Sequence, residues 1–464
     1  MVNTITIRKG LDIPIGGAAE LRLTDARSIK TYAVKPTDFV GLTPRLVVEE
    51  GDTVHVGDAL FVDKHDERIR FTSPVDGHVK AIVRGEKRKL LEVVVEADFK
   101  SAGSTSSDDK SSPTPQTAEE IKAAMLQCGV WTMLRQRPFG IVANPDDKPK
   151  AIFVSAFDSA PLAPDYDFVM QGKETFFAKG IETLTLLTEG VVHVCFRPGQ
   201  NLSNVVGEGR HAGLPLRVVA HCIKGPHPAG NNGTQIAHID PINKGEVVWT
   251  MKAQDVAVLG ELVTTGVYRP EKVIAVAGPN INDPHYYRII AGACMESIVT
   301  AQVPNIKTGS TNHRVISGNV LSGTQIAANG FVGAYDNLVS LIPEGDYYDF
   351  MGWLMPGFRK YSFSRTFLSG FMPKMLNWKF DTNTHGDERP LVFTGNFERV
   401  FPFDIYPTQL IKACIIGDID LMENLGIYEV EPEDFALCEF IDTSKTDIQT
   451  IIREALEKLR KEVG

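Results

Sequence analysis

Three apolar runs of strand length, separated by helical patterns, constrain the fold of this chain more than any other feature. The runs are Ala151–Phe157, Val191–Phe196 and Arg217–Ile223. Between the first two runs, a helical face of apolar residues ends at a glycine: Phe176, Phe177, Ile181, Leu184, Leu187 and Gly190. Apolar strands that alternate with helices predict a parallel sheet covered on both faces. No G-x-G-x-x-G sequence follows these runs, so the usual dinucleotide-binding loop is absent.

The length and charge place this sheet in a larger acidic protein. A chain of 464 residues exceeds one ordinary core and suggests roughly three domains of about 150 residues each. The net charge of -10 repels phosphate backbones, which argues against nucleic acid as a partner. No window reaches about 18 consecutive apolar residues, and residues 1–10 lack the apolar stretch of a signal peptide. We therefore expect no transmembrane segment and assign any membrane role to a partner protein.

Six cysteines are spread singly along the chain, without a CxxC motif: Cys128, Cys195, Cys222, Cys294, Cys414 and Cys438. Iron–sulfur clusters and structural zinc sites need several thiolates presented to one ion by a short segment. We therefore expect no metal site in this chain and interpret most of these cysteines as small buried residues. No Ser-His-Asp order, paired-carboxylate motif or P-loop stands out, so no catalytic residue is predicted.

Residues 37–97 are predicted to form short strands broken by turns. Two Gly-Asp turns within Val48–Val62 are followed by the sequence Phe71–Val79, which contains Ser-Pro-Val and a further glycine. This pattern resembles the barrel-sandwich fold of biotinyl and lipoyl domains. Lys64 is the nearby candidate for a modified lysine, but it comes too early for a lipoyl pattern. We interpret it as a solvated hairpin lysine.

Two capping boxes predict helix starts. The first is Thr117–Glu120, where a threonine and a glutamate exchange bonds with free amides, and the second is Thr446–Gln449. The second box precedes one apolar stripe at helical spacing: Ile448, Ile451, Ile452, Leu456 and Leu459. The Ser- and Pro-rich residues 98–116 have almost no apolar content and are predicted to be a linker.

Eight short sequences, in order and nearly end to end, match one family. They are Ile7–Ile15, Phe71–Val75, Val130–Phe139, Gly225–Gly230, Val315–Gly318, Trp353–Gly357, Ser364–Leu368 and Asn396–Val400. On these residues the chain resembles the NqrA family, which belongs to the Na+-translocating NADH:quinone oxidoreductase. The resemblance implies a peripheral subunit of a six-subunit complex, on the cytoplasmic face of the bacterial inner membrane. That complex passes electrons from NADH to a quinone and exports Na+. NqrA proteins have been associated with the quinone end of the path.

The same family is similar to the flavin- and NADH-binding subunit of complex I and to the C subunit of Rnf complexes. Those relatives hold the flavin phosphate with a glycine-rich loop, where this chain has the bulky sequence Trp131–Phe139. They also carry a CxxCxxC cluster motif, where Tyr406–Gly417 has the single cysteine Cys414. The resemblance therefore implies a retained framework without bound cofactors. NADH, flavins and iron–sulfur centres are expected on partner subunits.

The predicted fold class is a multidomain combination of α/β and α+β structure. It comprises a barrel-sandwich region at 1–97, the linker at 98–116, a Rossmann-like parallel-sheet domain at 117–250, a small β-grasp-like α+β domain at 251–345, a β-rich aromatic segment at 346–403 and a helical C-terminal region at 404–464 that lacks the cluster cysteines.

A quinone head group needs an aromatic or apolar slot and donors for its carbonyl oxygens. Five residues are the candidates for a quinone-proximal site: Phe39, Trp131, Arg135, Arg137 and Phe139. The alternative is that the aromatic residues belong to the core and the arginines pair with the excess carboxylates.

Two further regions are candidates for functional surfaces. Gly225–Gly233 follows a strand at the sheet edge where α/β proteins bind ligands, and could be a relic of an NADH-binding surface. The nearby histidines fit no common zinc spacing and are interpreted as structural or proton-handling: His221, His227 and His238. An aromatic-rich stretch is either core or a docking face for a membrane protein of the complex: Trp353, Arg359, Tyr361, Phe363, Arg365 and Phe367.

Three hypotheses for function remain open from the sequence. The first is a non-redox accessory subunit of the sodium-pumping quinone reductase that is structural and borders the quinone site. The second is a free-standing flavin- or NADH-dependent reductase on the same scaffold. The third is a lipoyl- or biotin-type carrier protein.

Overall fold

A computed structural model describes residues 3–98, 115, 117–206, 217–303, 306, 313–348, 351, 360–371 and 378–463. Most of the predicted linker at 98–116 lies outside the described residues, as do Trp353 and Arg359. Among the described residues, no helix combines the length and the apolar character needed to cross a bilayer.

The N-terminal part contains two small sheets that face each other. The first nine strands are β1 (Asn3–Thr6), β2 (Glu20–Asp25), β3 (Thr31–Val34), β4 (Pro44–Leu46), β5 (Thr53–Val54), β6 (Ala59–Asp63), β7 (Arg70–Thr72), β8 (Gly77–Arg84) and β9 (Leu90–Ala97). One sheet has the order β3-β9-β8-β5 and the other has the order β4-β6-β7. Phe61 and Phe71 stack in the core between them, with ring centroids 4.8 Å apart. Lys64 is exposed in the turn after β6, as the sequence predicted.

The next part is built around a seven-stranded sheet of the order β1-β14-β13-β12-β15-β10-β11. Its elements are α1 (Ala118–Cys128), β10 (Arg135–Arg137), β11 (Ile141–Val142), β12 (Ala151–Ser155), α2 (Tyr166–Val169), α3 (Glu174–Leu184), β13 (Val191–Phe196), α4 (Ser203–Val206), β14 (Val218–Lys224), α5 (Asn232–Ile239), β15 (Val248–Lys252) and α6 (Ala253–Thr265). Strands β12, β13, β14 and β15 run parallel. The predicted parallel sheet is confirmed.

Helix α1 begins where the sequence predicted. The Thr117 hydroxyl accepts a bond from the Glu120 amide at 3.3 Å, and the Glu120 carboxylate accepts one from the Thr117 amide at 3.3 Å. Both bonds satisfy amides that the first turn of a helix leaves free. The predicted capping box is confirmed.

Helix α6 differs from the prediction, which placed it in the α+β unit at 251–345. It packs on α3 through two glycines: a Cβ at Gly180 would lie 2.0 Å from the Val256 carbonyl oxygen, and one at Gly260 would lie 1.8 Å from the Phe176 carbonyl oxygen. The missing side chains let the two helix backbones touch. This close contact joins α6 to the parallel sheet.

A second mixed sheet follows, with the order β19-β18-β20-β16-β17-β2. Its elements are β16 (Glu271–Ala277), β17 (His285–Ile290), α7 (Glu296–Gln302), β18 (His313–Ser317), β19 (Thr324–Ile326) and β20 (Leu338–Pro343). Strands β16 and β18 correspond to the two strands predicted here, at Val273–Ala277 and Arg314–Ser317.

The first two strands lie within the predicted region 1–97, but they pair with the two larger sheets and not with β3 to β9. Strand β1 pairs in parallel with β14, so that Asn3 lies beside His221. Strand β2 pairs in parallel with β17. Neither pairing can be predicted from the neighbouring sequence, because each joins segments more than 200 residues apart.

The predicted β-rich segment at 346–403 has no strand among its described residues, only an isolated bridge between Ile15 and Trp378. Its aromatic rings pack on the helices that follow: Tyr361 lies 5.7 Å from Phe440 between ring centroids. Those helices are α8 (Phe397–Val400), α9 (Pro407–Ile416), α10 (Ile419–Asn424), α11 (Ala436–Ile441) and α12 (Ile448–Val463).

The second predicted capping box does not form. The Gln449 amide donates to the Glu439 carboxylate at 2.9 Å, and the Thr450 amide donates to the Asp447 carboxylate at 3.3 Å. The Thr446 hydroxyl is buried and has no hydrogen-bond partner among the described residues. A neighbouring helix therefore supplies the bond that the local sequence assigned to the cap. The apolar stripe is confirmed, since four of its five members are buried: Ile448, Ile452, Leu456 and Leu459.

Candidate functional site

A crevice of about 270 Å³ opens at the carboxyl ends of the parallel strands. Ser155 and Lys252, the last residues of β12 and β15, line its floor, and His227 and Asn231 come from the loop after β14. Open α/β sheets bind their ligands at this end, where loops from adjacent strands diverge. The loop Gly225–Gly233 therefore lies at the predicted edge.

Beside this crevice, two arginines from β10 pair with carboxylates of the C-terminal region. Arg137 makes three ion pairs: its Nε lies 3.0 Å from a Glu431 oxygen, and its Nη atoms lie 3.1 Å from Glu433 and 3.2 Å from Asp434. The Arg135 guanidinium lies 2.9 Å from the other Glu431 oxygen. The Arg137 and Glu431 side chains are each only 3% exposed. We call these five residues the crevice ion cluster.

The two buried carboxylates of this cluster titrate in opposite directions. Burial alone would raise the pKa of Glu431, but the charges of Arg137 and Arg135 outweigh burial and lower that pKa. Burial raises the pKa of Asp434 to about 7, because the help from Arg137 is opposed by the charge of Glu433. Glu431 is therefore ionised at neutral pH, whereas Asp434 is partly protonated there.

Tyr335 brings two of the predicted site residues together. Its ring lies 5.6 Å from the Phe39 ring between centroids, and the Arg135 guanidinium lies 5.3 Å from the ring centroid. Its hydroxyl donates to the Thr132 carbonyl at 2.7 Å. Asp38, beside Phe39, accepts a 2.8 Å bond from the Ala334 amide. Phe39 and Arg135, which are distant in sequence, thus both contact one tyrosine.

Behind Tyr335 lies a smaller cavity of about 70 Å³, with Phe39, Phe71 and Tyr268 in its wall. An engineered protein cavity that binds benzene has a volume of about 150 Å³. This space has about half that volume, and the crevice in front of Tyr335 is the larger of the two.

The other three predicted residues do not line the crevice, and Phe139 is half-buried. Trp131 is 1% exposed, donates to the Ala143 carbonyl at 2.8 Å and meets the Trp249 ring edge-on. Arg137 is buried in the ion cluster. Phe139 adopts a left-handed backbone with φ +85° and packs on Tyr428. These three residues fit the alternative in which aromatic groups are core and arginines pair with carboxylates.

The three histidines considered from the sequence separate in the structure. His227 lines the crevice, and its Nδ1 lies 3.1 Å from the Ser159 hydroxyl. His221 lies within the sheet, where its Nε2 is 2.9 Å from His193 Nδ1. His238 Nδ1 lies 2.8 Å from the Thr234 carbonyl of its own helix. Across the described ranges, no group of three or more potential metal ligands converges.

The aromatic-rich stretch packs on its surroundings where it is described. The Phe363 ring lies 4.5 Å from the Arg399 guanidinium, and the Phe367 ring lies 5.8 Å from the Lys360 ammonium. Tyr361 contacts Trp378 and Phe380. Core packing, the first of the two interpretations, accounts for Tyr361. Arg365 has a left-handed backbone with φ +57°.

Family models match three consecutive parts of the chain. The N-terminal barrel-sandwich hybrid domain of NqrA matches residues 5–98, the NqrA second alpha/beta domain matches 116–268, and the NQRA C-terminal domain matches 273–328. The NqrA protein of the Na(+)-translocating NADH-quinone reductase from Rhodopirellula baltica is 38% identical over 459 residues, which cover 98% of each chain. The chain belongs to the NqrA family. The resemblance and the predicted N-terminal barrel-sandwich fold are thereby confirmed.

Other NqrA relatives agree along the full length. The Yersinia pestis protein is 38% identical over 468 residues, covering 99% of this chain and 100% of the relative, and the Pasteurella multocida protein is 37% identical over 463 residues, with the same coverage. Among solved structures, this chain is similar to a chain of an NAD+-reducing NiFe hydrogenase in the H2-reduced state. That similarity has 14% identity and a TM-score of 0.39, and covers 75% of this chain and 62% of that chain.

Four residues of this candidate site were not predicted from the sequence: Tyr335, Glu431, Glu433 and Asp434. The acidic run Glu429–Asp434 was the available signal, because a row of carboxylates needs cations nearby and two arginines in the Trp131–Phe139 sequence had no assigned partners. Tyr335 left no such signal, since nothing around it marks it as the neighbour of Phe39.

Proposed function

We propose that this chain is a non-redox accessory subunit of a Na+-translocating NADH:quinone oxidoreductase, and that its strand-end crevice borders the quinone site. Family membership supports the assignment to the complex. The other five subunits would be its partners, and it would sit peripherally on the cytoplasmic face of the bacterial inner membrane. The Rossmann-like and β-grasp-like assignments of its two large sheets are part of this proposal.

The observation that carries the proposal is the charge of the crevice. Its wall contains five carboxylates, namely Asp38, Asp158, Asp336, Glu431 and Glu433, against the three cations Arg135, Lys252 and Arg453. Two cations behind the wall offset part of this charge, since Lys35 pairs with Asp38 and Arg137 with Glu431 and Glu433. The three cations of the wall already have acceptors, which are the Glu431 carboxylate, the Tyr335 carbonyl and the Phe139 carbonyl. The crevice therefore lacks the uncommitted positive charge that the phosphates of flavin mononucleotide or NADH require, whereas a quinone ring is neutral.

The wall beside Tyr335 offers what a quinone ring requires. Arg135 lines the crevice with its guanidinium over the tyrosine ring, and its buried Nε has no acceptor among the described residues. Lys252 also lines the crevice, with its ammonium 2.6 Å from the Tyr335 carbonyl. An aromatic surface with cationic donors at its edge suits a ring that carries two carbonyl oxygens. Phe39 supports Tyr335 from behind.

The first experiment is affinity purification of the tagged chain from solubilised membranes. We expect integral-membrane flavoprotein subunits to co-purify and the separated chain to show neither flavin absorbance nor iron. A yellow band retained by the separated chain would support the free-standing reductase instead. An intact mass raised by a lipoyl or biotinyl group would support the carrier.

The second experiment tests the quinone position with Arg135→Ala in the purified complex. We expect the KM for quinone to rise several-fold, while NADH oxidation by an artificial acceptor stays at the wild-type rate. Arg269→Ala is the matched control, because Arg269 forms an exposed ion pair with Glu261 away from the crevice. Unchanged quinone kinetics in an intact Arg135→Ala complex would show that the quinone head group does not bind in this crevice. Trp131 is unsuitable as a target, because truncating a buried tryptophan costs about 3–5 kcal/mol.

A further inference from the structure

A second cavity, of about 280 Å³, lies between the N-terminal segment, the six-stranded sheet and the C-terminal helices. Its apolar lining comes from all three parts: Ile13, Ile15, Ile316, Ile342, Phe380 and Phe440. None of the sequence motifs pointed to it. We call it the isoleucine cavity.

The two charged residues in the lining of this cavity, Arg314 and Asp381, already have hydrogen-bond partners outside it. Arg314 makes two bonds to the Glu344 carboxylate, at 2.9 and 2.8 Å, and Thr382 donates to the same carboxylate at 2.7 Å. Asp381 accepts a 3.0 Å bond from the Tyr347 hydroxyl. Because these polar groups already have partners, the cavity offers a ligand mainly hydrocarbon surface. An apolar chain is the ligand that such a surface recognises.

A single loop separates the isoleucine cavity from the crevice. Residues Asn319 and Ser322 face the crevice, Val320 and Leu321 face the cavity, and Gly323 borders both. The Asn319 side chain accepts bonds from the Leu321 and Ser322 amides, at 2.8 and 3.0 Å. The two spaces are therefore neighbours across one wall that is a single turn thick.

The C-terminal helix holds this wall in place. The Gln449 side chain donates to the Leu321 carbonyl at 3.0 Å, from the first turn of α12. Gly323 has no room for a side chain, since a Cβ would lie 2.5 Å from the Asn319 carbonyl oxygen. The loop thus has a fixed position between an acidic crevice and an apolar cavity.

We propose that the isoleucine cavity binds the prenyl chain of the quinone. This inference rests on the proposed function, which places the head group in the crevice. A prenylated quinone has one polar aromatic end and one branched hydrocarbon end, and the two neighbouring spaces match those ends in order. The chain passes over the loop of residues 318–323.

The test compares two quinones with the same ring in the purified complex at one fixed detergent concentration, one with a prenyl chain and one without. Val320→Asp adds an unpaired charge to the cavity wall on a half-buried loop residue. We expect this variant to raise the KM for the prenylated quinone roughly tenfold, equivalent to 1.4 kcal/mol, and to leave the KM for the chain-free quinone unchanged. Val392→Asp is the matched control, because Val392 is an exposed valine outside the cavity lining.

Each outcome separates this inference from the proposed function. Unchanged kinetics for both quinones in Val320→Asp, together with a raised quinone KM in Arg135→Ala, would overturn the chain site and leave the head-group site intact. Equal rises for both quinones would also overturn it, because the charge would then act on the head group. If Arg135→Ala has no effect, the proposed function fails.

A direct measurement covers the case in which Val320→Asp does not assemble. The wild-type complex is illuminated with a prenylated quinone that carries a diazirine on its chain, and the labelled peptides are mapped. We expect label on the peptides that line the cavity, which contain Ile13, Ile15, residues 313–326, Ile342, residues 378–382 or Phe440. Label confined to other peptides would overturn the inference.

Discussion

Arg137→Ala is expected to destabilise the chain by about 3–5 kcal/mol, because it leaves buried carboxylates without their counter-charge. The Arg137 side chain is 3% exposed, and its partners Glu431 and Asp434 are 3% and 0% exposed. Arg135 remains 2.9 Å from Glu431, and Asp434 can take up a proton once Arg137 is gone, so we expect the lower end of this range.

Urea unfolding followed by tryptophan fluorescence measures this loss. Trp131 and Trp249 meet edge-on with ring centroids 5.4 Å apart, and Trp249 lies on β15, which pairs with the strand that carries Arg137. The midpoint should move to lower urea with little change in slope, because the surface exposed on unfolding is nearly the same.

Arg45→Ala is the matched control, because Arg45 pairs with Glu67 where both side chains are about half exposed. Exposed pairs contribute about 0–1 kcal/mol. Equal losses of unfolding free energy in Arg137→Ala and Arg45→Ala would show that the buried cluster does not stabilise the fold. Asp434→Ala removes the buried carboxyl that Arg137→Ala leaves without a partner. The double variant should therefore lose less unfolding free energy than the sum of the two single variants.

Three further results are expected from variants of single residues. Thr117→Ala should lower the free energy of unfolding in urea by about 1 kcal/mol, because it removes a helix cap. Thr446→Ala removes no cap bond and should leave the helix content measured by circular dichroism unchanged. An equal loss of helix content in both variants would contradict the assigned caps. Burial raises the pKa of Asp434 to about 7 from an ordinary 3.8, so its contribution to stability is present below pH 4 and lost as the pH rises through 7; Asp434→Asn should remove this decline, measured as the unfolding midpoint at several pH values. Burial and the neighbouring His221 lower the pKa of His193 to about 4 from 6.5, so stability is lost as the pH falls from 6.5 to 4; a His193→Phe variant with the same acid profile as the wild type would refute this.

The sequence predicted best where the physics is local. Apolar runs of strand length determined the parallel strands β12 to β14, and the capping box at Thr117 formed because its two partners are three residues apart. The equivalent pattern at Thr446 failed because Glu439, on a neighbouring helix, supplies the bond to the Gln449 amide. A short stretch of sequence cannot show that a residue on another helix competes for the same amide.

The candidate site was predicted only in part, because its residues meet through the tertiary fold. Phe39 and Arg135 were both proposed from their sequence surroundings, but their link is Tyr335, which no motif marks. Conversely, Trp131 was proposed as a ligand contact and is a core residue with its indole N–H satisfied by Ala143. Aromatic residues serve both roles with the same sequence signature, so only position in the fold separates them.

The placement of β1 and β2 sets an order on the assembly of this chain. The strands of the barrel-sandwich region, β3 to β9, lie within residues 31–97 and can close as soon as they leave the ribosome. The first 25 residues cannot, because β1 waits for β14 at 218–224 and β2 waits for β17 at 285–290. Strand β1 therefore stays unpaired until residue 224 has been synthesised, and β2 until residue 290 has been synthesised. A bulky fusion at the N-terminus would have to pass this late step, so expression yield should depend on which end carries the tag.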